Sequence, residues 1–259
     1  MHPFIHIGNL SIPTYGLCLI AGAVLAFLLL RYTWRFRKIT RNDAIYTAFY
    51  AVIGGLIGAK LLYIIVELPA ILENPRILLG MIFGGAVFYG GLIGGIIGGV
   101  LYTRRYKTGV LDTADVLLPS LVLAHAFGRV GCFFAGCCYG MVCESPISVT
   151  YPPGGFAPAG IPLLPTQLME AAFLLLLSAF LVLRLTKSKK SGEIAGYYAL
   201  LYGVWRFIIE FFRSDPRGSL WIFSTSQLIS LIFIPLGIYL LLRKAHSSKS
   251  ALQNPDGIL

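Results

Sequence analysis

The stretch His125–Gly140, HAFGRVGCFFAGCCYG, decides how the chain is read. An apolar run precedes it and sets it at or near the depth of a bilayer, yet it holds Arg129, His125 and three of the chain's five cysteines. An arginine near a bilayer midplane costs from about 3 to more than 10 kcal/mol, so something must offset it. The guanidinium either snorkels to the interface, pairs with a buried carboxylate, or faces an anion. Gly128, Gly131, Gly136 and Gly140 remove side chains around it, so that a neighbouring helix or a ligand can come close to the backbone.

Composition sets the class. Of 259 residues, 57% are hydrophobic and only 12% charged, with a mean hydropathy of +0.78; ordinary soluble domains are excluded. Apolar stretches long enough to span a hydrocarbon core recur at Tyr15–Leu30, Ile45–Val66, Phe83–Tyr102, Val116–Phe134, Leu168–Leu183, Ile194–Phe212 and Leu228–Leu242. The expected fold is an all-α polytopic membrane protein of about seven transmembrane helices, the first and fifth extending a few residues beyond these limits. Segments following the odd-numbered spans carry fifteen Lys and Arg, against three on the other side (Arg76, Arg213, Arg217). The positive-inside rule then puts the N-terminus outside and the C-terminus in the cytoplasm. The net charge of +10 is accounted for by these loops and by anionic lipid headgroups, with no nucleic acid required. The N-terminus lacks the basic region of a cleaved signal peptide. Residues 1–244 read as one membrane domain and 245–259 as a flexible cytoplasmic tail.

Further polar residues interrupt the spans. Tyr15 opens the first, as an interfacial anchor or a hydroxyl facing a site. Lys60 lies well inside the second and is expected either to pair with an intramembrane carboxylate or to line a polar cavity. The third is glycine-rich (Gly90, Gly91, Gly94, Gly95, Gly98, Gly99), a close-packing pattern, and carries Tyr89. The spacing of Cys132, Cys137, Cys138 and Cys143 matches no zinc pattern, so neither a metal nor a diffusible cofactor is expected. Met141–Pro165, rich in proline and glycine, is a long connection expected to lie against the membrane surface. Thr166 is placed to cap the fifth span, with Gln167 and Glu170 on one face. In the sixth, Tyr202, Arg206 and Glu210 form a polar stripe, Arg206 and Glu210 being spaced to pair. Two intramembrane arginines on two helices point to a clamp for a phosphate, whose oxygens match the guanidinium fork.

Taken together, these motifs resemble the prolipoprotein diacylglyceryl transferase family. The similarity rests on Gly128-Arg129-Val130-Gly131 followed by Phe133, Gly136 and Gly140; on Tyr15-Gly16; on Tyr89-Gly90-Gly91-Leu92-Ile93-Gly94; on Pro165–Glu170; and on Tyr202–Arg213. It runs from about Pro3 to Arg243. The resemblance implies a multi-pass enzyme of the bacterial inner membrane. Its reaction would move a diacylglyceryl group from phosphatidylglycerol to the lipobox cysteine of a prolipoprotein signal peptide, giving a thioether and glycerol phosphate. Arg129, Arg206, Tyr89 and Tyr15 are then the candidate catalytic residues. Tyr202, Gln167, Glu170, Glu210 and Gly140 join the two arginines as candidate substrate-binding residues.

The chain departs from the family pattern at four positions. Cys132 and Ala135 stand where the pattern has asparagine, Cys137 where it has glutamate, and Tyr89 where it has histidine. A phenol with a pKa near 10 is a poor general base at neutral pH, so weakened or altered transfer is expected. Another acceptor, or a non-catalytic lipid-binding or transport protein on the same helices, is the rival reading.

Overall fold

The computed structural model describes residues 4–7, 10–74, 85, 87–215, 219–220 and 223–243. The expected flexible tail at 245–259 lies outside them. The protein is mostly helical. Its helices are α1 (Thr14–Thr33), α2 (Arg41–Val66), the short α3 (Leu68–Glu73), α4 (Phe88–Arg105), α5 (Val110–Ala135), α6 (Thr166–Lys187), α7 (Glu193–Ile209) and α8 (Thr225–Leu242). Short 3-10 turns follow α1 (Trp34–Phe36) and α7 (Glu210–Phe212). As the sequence implied, α1 and α6 outrun the apolar stretches that mark them.

Among the described residues, five segments are long and apolar enough to cross a membrane: Thr14–Phe36, Arg41–Val66, α5, α6 and α8. The third expected span begins as helix only at Phe88, with 83, 84 and 86 outside the described residues, and reaches 18 residues by taking in Arg104 and Arg105. The sixth, α7, has 17 helical residues, including Glu193 and Arg206. Among the described residues, three small antiparallel hairpins supplement the helices: β1 (Phe4–Ile7) with β2 (Leu10–Pro13), β3 (Val149–Thr150) with β4 (Pro162–Leu163), and β5 (Ser219–Leu220) with β6 (Phe223–Ser224). The proline-rich connection before α6 is therefore ordered. Tyr151, Ala157 and Leu163 form a small buried cluster in it, packed on Phe133 and Tyr139.

Helices pair as α2 with α4, α1 with α5, α5 with α6, and α7 with α8. The main apolar core is built from Val122 and Ala126 of α5, Leu174, Leu177, Leu181 and Leu185 of α6, and Ile194 of α7. Outward, large apolar side chains such as Leu56, Ile96, Leu176 and Ile232 are exposed, as a lipid-facing surface requires. The α2–α4 pair packs backbone on backbone. A Cβ added to Gly54, Gly58, Gly90, Gly94 or Gly98 would overlap a carbonyl oxygen of the facing helix. Hydrocarbon tails are as apolar as leucine, so such close approach replaces the hydrophobic effect as the source of association.

At the opposite end from the Met141–Pro165 connection, Arg37 and Asp115 tie α1, α5 and α7 together. Arg37 donates from Nε (3.2 Å) and Nη2 (3.0 Å) to Asp115 Oδ2. Asp115 also accepts the backbone N–H groups of Gly192 (2.8 Å) and Ala195 (3.0 Å), capping α7. Arg37 was counted among the loop cations, but it is buried here and does not face lipid headgroups.

Two stability results are expected. Gly94→Ala should cost about 1–3 kcal/mol by overpacking, whereas Gly99→Ala, whose added methyl meets Thr47 Cγ2 at an ordinary 3.7 Å, should be neutral or stabilising; reversible unfolding in mixed micelles compares them. Asp115→Ala leaves Arg37 buried without its carboxylate and should lose about 3–5 kcal/mol in the same measurement.

Candidate functional site

Helical spacing assembles a charged cluster from α5, α6 and α7. His125 and Arg129 lie four apart on α5, as do Arg206 and Glu210 at the end of α7, so each pair shares a helix face. Glu170 of α6, only 1% exposed, is the common partner. Its Oε2 lies 3.1 Å from Arg129 Nε, 4.0 Å from Arg206 Nη1 and 3.9 Å from Arg213 Nη1. Its Oε1 accepts the Tyr202 hydroxyl at 3.0 Å.

Each guanidinium is held from a second direction. Arg206 Nη2 lies 3.0 Å from Glu210 Oε2 and donates to Ser226 Oγ at 2.7 Å. Arg213 donates to both oxygens of Asp215, at 3.2 and 3.3 Å. Arg129 Nε donates to His125 Nε2 at 3.3 Å. The His125 and Tyr202 rings meet in a T-shaped arrangement, with centroids 5.5 Å apart.

Some donors are left over. Among the described residues, the two terminal amino groups of Arg129 make no hydrogen bond. Arg206 Nη1 is buried and likewise makes none. A buried cationic donor without a hydrogen-bond partner is costly, and an anion with several acceptor oxygens would satisfy it.

The helix below the cluster also pins the cysteine-bearing loop. Gln167 Nε2 donates to the Cys137 carbonyl (2.7 Å) and to the Tyr151 hydroxyl (3.0 Å). Thr166 Oγ1 donates to the Cys138 carbonyl at 2.9 Å and makes no cap to its own helix, contrary to the capping role expected of it. Burial pushes the Tyr151 phenol up, against the pull of the Gln167 amide. Burial also raises Asp215, opposed by Arg213.

The structure therefore brings Arg129, Arg206, Tyr202, Glu170 and Glu210 together. Gln167 lies one turn away, engaged with the loop. Gly140 is packed by the carbonyls of Leu164 and Phe212 and the methyl of Thr166, and forms a β-bridge to Arg213; a side chain there would displace that arginine. Tyr15 lies on α1 against Gly131, where an added Cβ would come 2.9 Å from its ring. Tyr89 stands apart at the start of α4, edge-on to Phe88, and hydrogen-bonds none of the cluster among the described residues. Lys60 donates to the Gly85 carbonyl at 2.9 Å and is not among the cations around Glu170, whose ion-pair partners are arginines.

Sequence reasoning missed Arg213 as a member of the cluster, assigning it to a loop, and gave His125 no role. The signals were present: Arg213 closes the Tyr202–Arg213 motif, and His125 stands one turn before Arg129.

Comparison with known proteins gives the family. A family profile described as prolipoprotein diacylglyceryl transferase matches residues 3–243. A Clostridium tetani protein named phosphatidylglycerol–prolipoprotein diacylglyceryl transferase is 42% identical over 231 residues, covering 89% of this chain and 92% of the relative. The second such transferase of Clostridium perfringens is 40% identical over 232 residues, covering 90% and 91%. One from Geobacter sulfurreducens is 33% identical over 248 residues, covering 91% and 92%. With the arginine-bearing helices and their shared glutamate inside the matched region, this chain belongs to the prolipoprotein diacylglyceryl transferase family.

Proposed function

We propose that the protein transfers a diacylglyceryl group from phosphatidylglycerol to the lipobox cysteine of a prolipoprotein signal peptide in the bacterial inner membrane. The observation that carries this reading is the pair of guanidiniums, Arg129 and Arg206, converging on Glu170 with donors unspent. The lipid phosphodiester would take those donors. As the thiolate attacks the glycerol carbon, the C–O bond breaks and its electron pair leaves with glycerol phosphate, which gains negative charge. Donors already aimed at that phosphate favour the transition state over the bound lipid. Glu170 and Glu210 act as positioning residues that hold the arginines, and Tyr202 fixes Glu170. In this reading α4 and α7 also span the bilayer. That gives seven crossings, with the N-terminus and the cysteine loop on the outer side.

The direct test supplies the purified protein in vesicles with labelled phosphatidylglycerol and a lipobox peptide. The expected products are thioether-linked peptide and glycerol phosphate in equal amounts. Movement of intact lipid without cleavage would favour the transport reading and overturn this one.

Arg129→Lys keeps the charge but not the fork. It should lower turnover by about 10²–10³-fold, as loss of a transition-state donor does, scored by prolipoprotein processing in cells depleted of their own transferase. Equal rescue by Arg129→Ala would remove the phosphate role. Glu170→Gln takes away the charge that three arginines share. It should both destabilise the protein by about 3–5 kcal/mol and abolish processing, measured by unfolding and by the same complementation.

A further inference from the structure

Three cysteines that the spacing kept apart in sequence meet in space. The sulfurs of Cys132, Cys137 and Cys138 all lie within 4.8 Å of one another, half-buried and free of disulfides. The end of α5 makes the meeting possible. Gly136 takes a left-handed conformation (φ 74°) and closes the helix, with the Cys137 N–H bonded to the Cys132 carbonyl at 3.1 Å. The chain turns back, and Cys138 itself adopts φ 64°. A left-handed conformation costs a non-glycine residue about 1–2 kcal/mol, and glycine would remove that cost. A cysteine kept there points to its sulfur as the reason. Gln167 and Thr166 hold the carbonyls of Cys137 and Cys138 from α6, so the turn is fixed before any ligand arrives.

We propose that Cys132, Cys137 and Cys138 bind one soft divalent cation of the zinc class as three thiolates, leaving a fourth position for a thiol. Thiolates at about 2.3 Å from zinc lie about 3.8 Å apart around a tetrahedral ion, so the sulfurs need close by only about 1 Å. Three protein ligands with one open position is the arrangement of reactive, rather than purely structural, zinc sites. Charge also fits. Three thiolates around a divalent ion carry a net single negative charge, and the Arg213 guanidinium lies near enough to act on Cys138 electrostatically. Arg213 is also a partner of Glu170, so the thiol cluster adjoins the arginine cluster.

The open position has a use that rests on the transferase reading. The acceptor in that reaction is a cysteine thiol. It replaces water on the metal and loses its proton to solvent. The metal-held thiolate then attacks the glycerol carbon as the phosphate leaves. The metal thus generates the nucleophile that a general base would otherwise produce, in a chain where the pattern's histidine is Tyr89 and its glutamate is Cys137.

The experiment uses the full chain without a histidine tag, reduced, in lipid nanodiscs, titrated with Zn2+ and Co2+. About one metal per chain is expected, with a thiolate-to-cobalt charge-transfer band near the intensity of three thiolates. Serine at 132, 137 or 138 should weaken binding by more than about 100-fold, beyond the cost of losing an outer partner. A Cys18→Ser, Cys143→Ser double variant should bind normally. A lipobox peptide should raise the band by about one third as a fourth thiolate enters; the same peptide with serine for cysteine should not. The wild-type band reads thiolate ligation without any variant, so a misfolded serine mutant does not obscure the answer. No stoichiometric metal, equal binding by the triple serine variant, or a disulfide among the three in the isolated protein would overturn the site. Metal bound with no response to the peptide would overturn its substrate role. None of these readings uses lipid turnover, so the metal site and the transfer reaction fail or stand separately.

Discussion

One buried carboxylate governs the polar half of this protein. Glu170 sits where three helices and a returning loop would otherwise bring three guanidiniums together with nothing between them. Arginines at membrane depth repel one another strongly because little solvent screens them. A single glutamate facing all three, with Glu210 and Asp215 behind two of them, turns repulsion into a fixed array. The array has a directional remainder. Among the described residues, donors that make no hydrogen bond remain on Arg129 and on Arg206, whose Nη1 lies 4.0 Å from Glu170. Such a network meets an incoming anion without reorganising, which is the property that electrostatic catalysis needs.

The rest of the chain serves that array by packing in two different ways. Helices α5, α6 and α7 interlock through leucine, valine and isoleucine, which fixes the relative heights of Arg129, Glu170 and Arg206. Helices α2 and α4 meet largely through glycine, backbone against backbone. Lys60 falls in this second region, where it finds the Gly85 carbonyl. Lys60 and Glu170 form no ion pair with each other. The helix pairing separates them, because α2 packs mainly on α4 and Glu170 belongs to α6.

Much of this was legible before any coordinates. Apolar stretches marked the five long apolar helices found among the described residues, with ends up to about six residues away, because hydrophobic length is a one-dimensional property. Arg206 with Glu210, and Tyr202 one turn earlier, were legible because helical periodicity puts them on a face. What escaped depended on chain reversals. Arg213 returns to the cluster only because Gly140 lets the loop cross between Leu164 and Phe212. Arg37 was read as a loop cation, and only the approach of α7 to α5 reveals Asp115 as its partner. The thiol cluster depends on two left-handed residues at a helix end, which no spacing rule for metal ligands encodes.

The departures from the family pattern acquire a physical meaning against this charge arrangement. A glutamate at position 137 would add a fixed negative charge beside Cys138 and Arg213. A cysteine there adds none until it loses a proton, and then adds charge on a soft, polarisable atom. Cys132 replaces an amide that could only donate and accept hydrogen bonds with a group that can also ligate. The substitutions are therefore not independent losses. Cys132 and Cys137 are two of the three sulfurs that converge, and the third, Cys138, carries the backbone strain. Random decay of a catalytic motif would have no reason to gather thiols on one turn, while leaving Arg129, Glu170, Arg206 and Arg213 in mutual register. The arrangement sets a register of arginines around one carboxylate beside a cluster of three sulfurs.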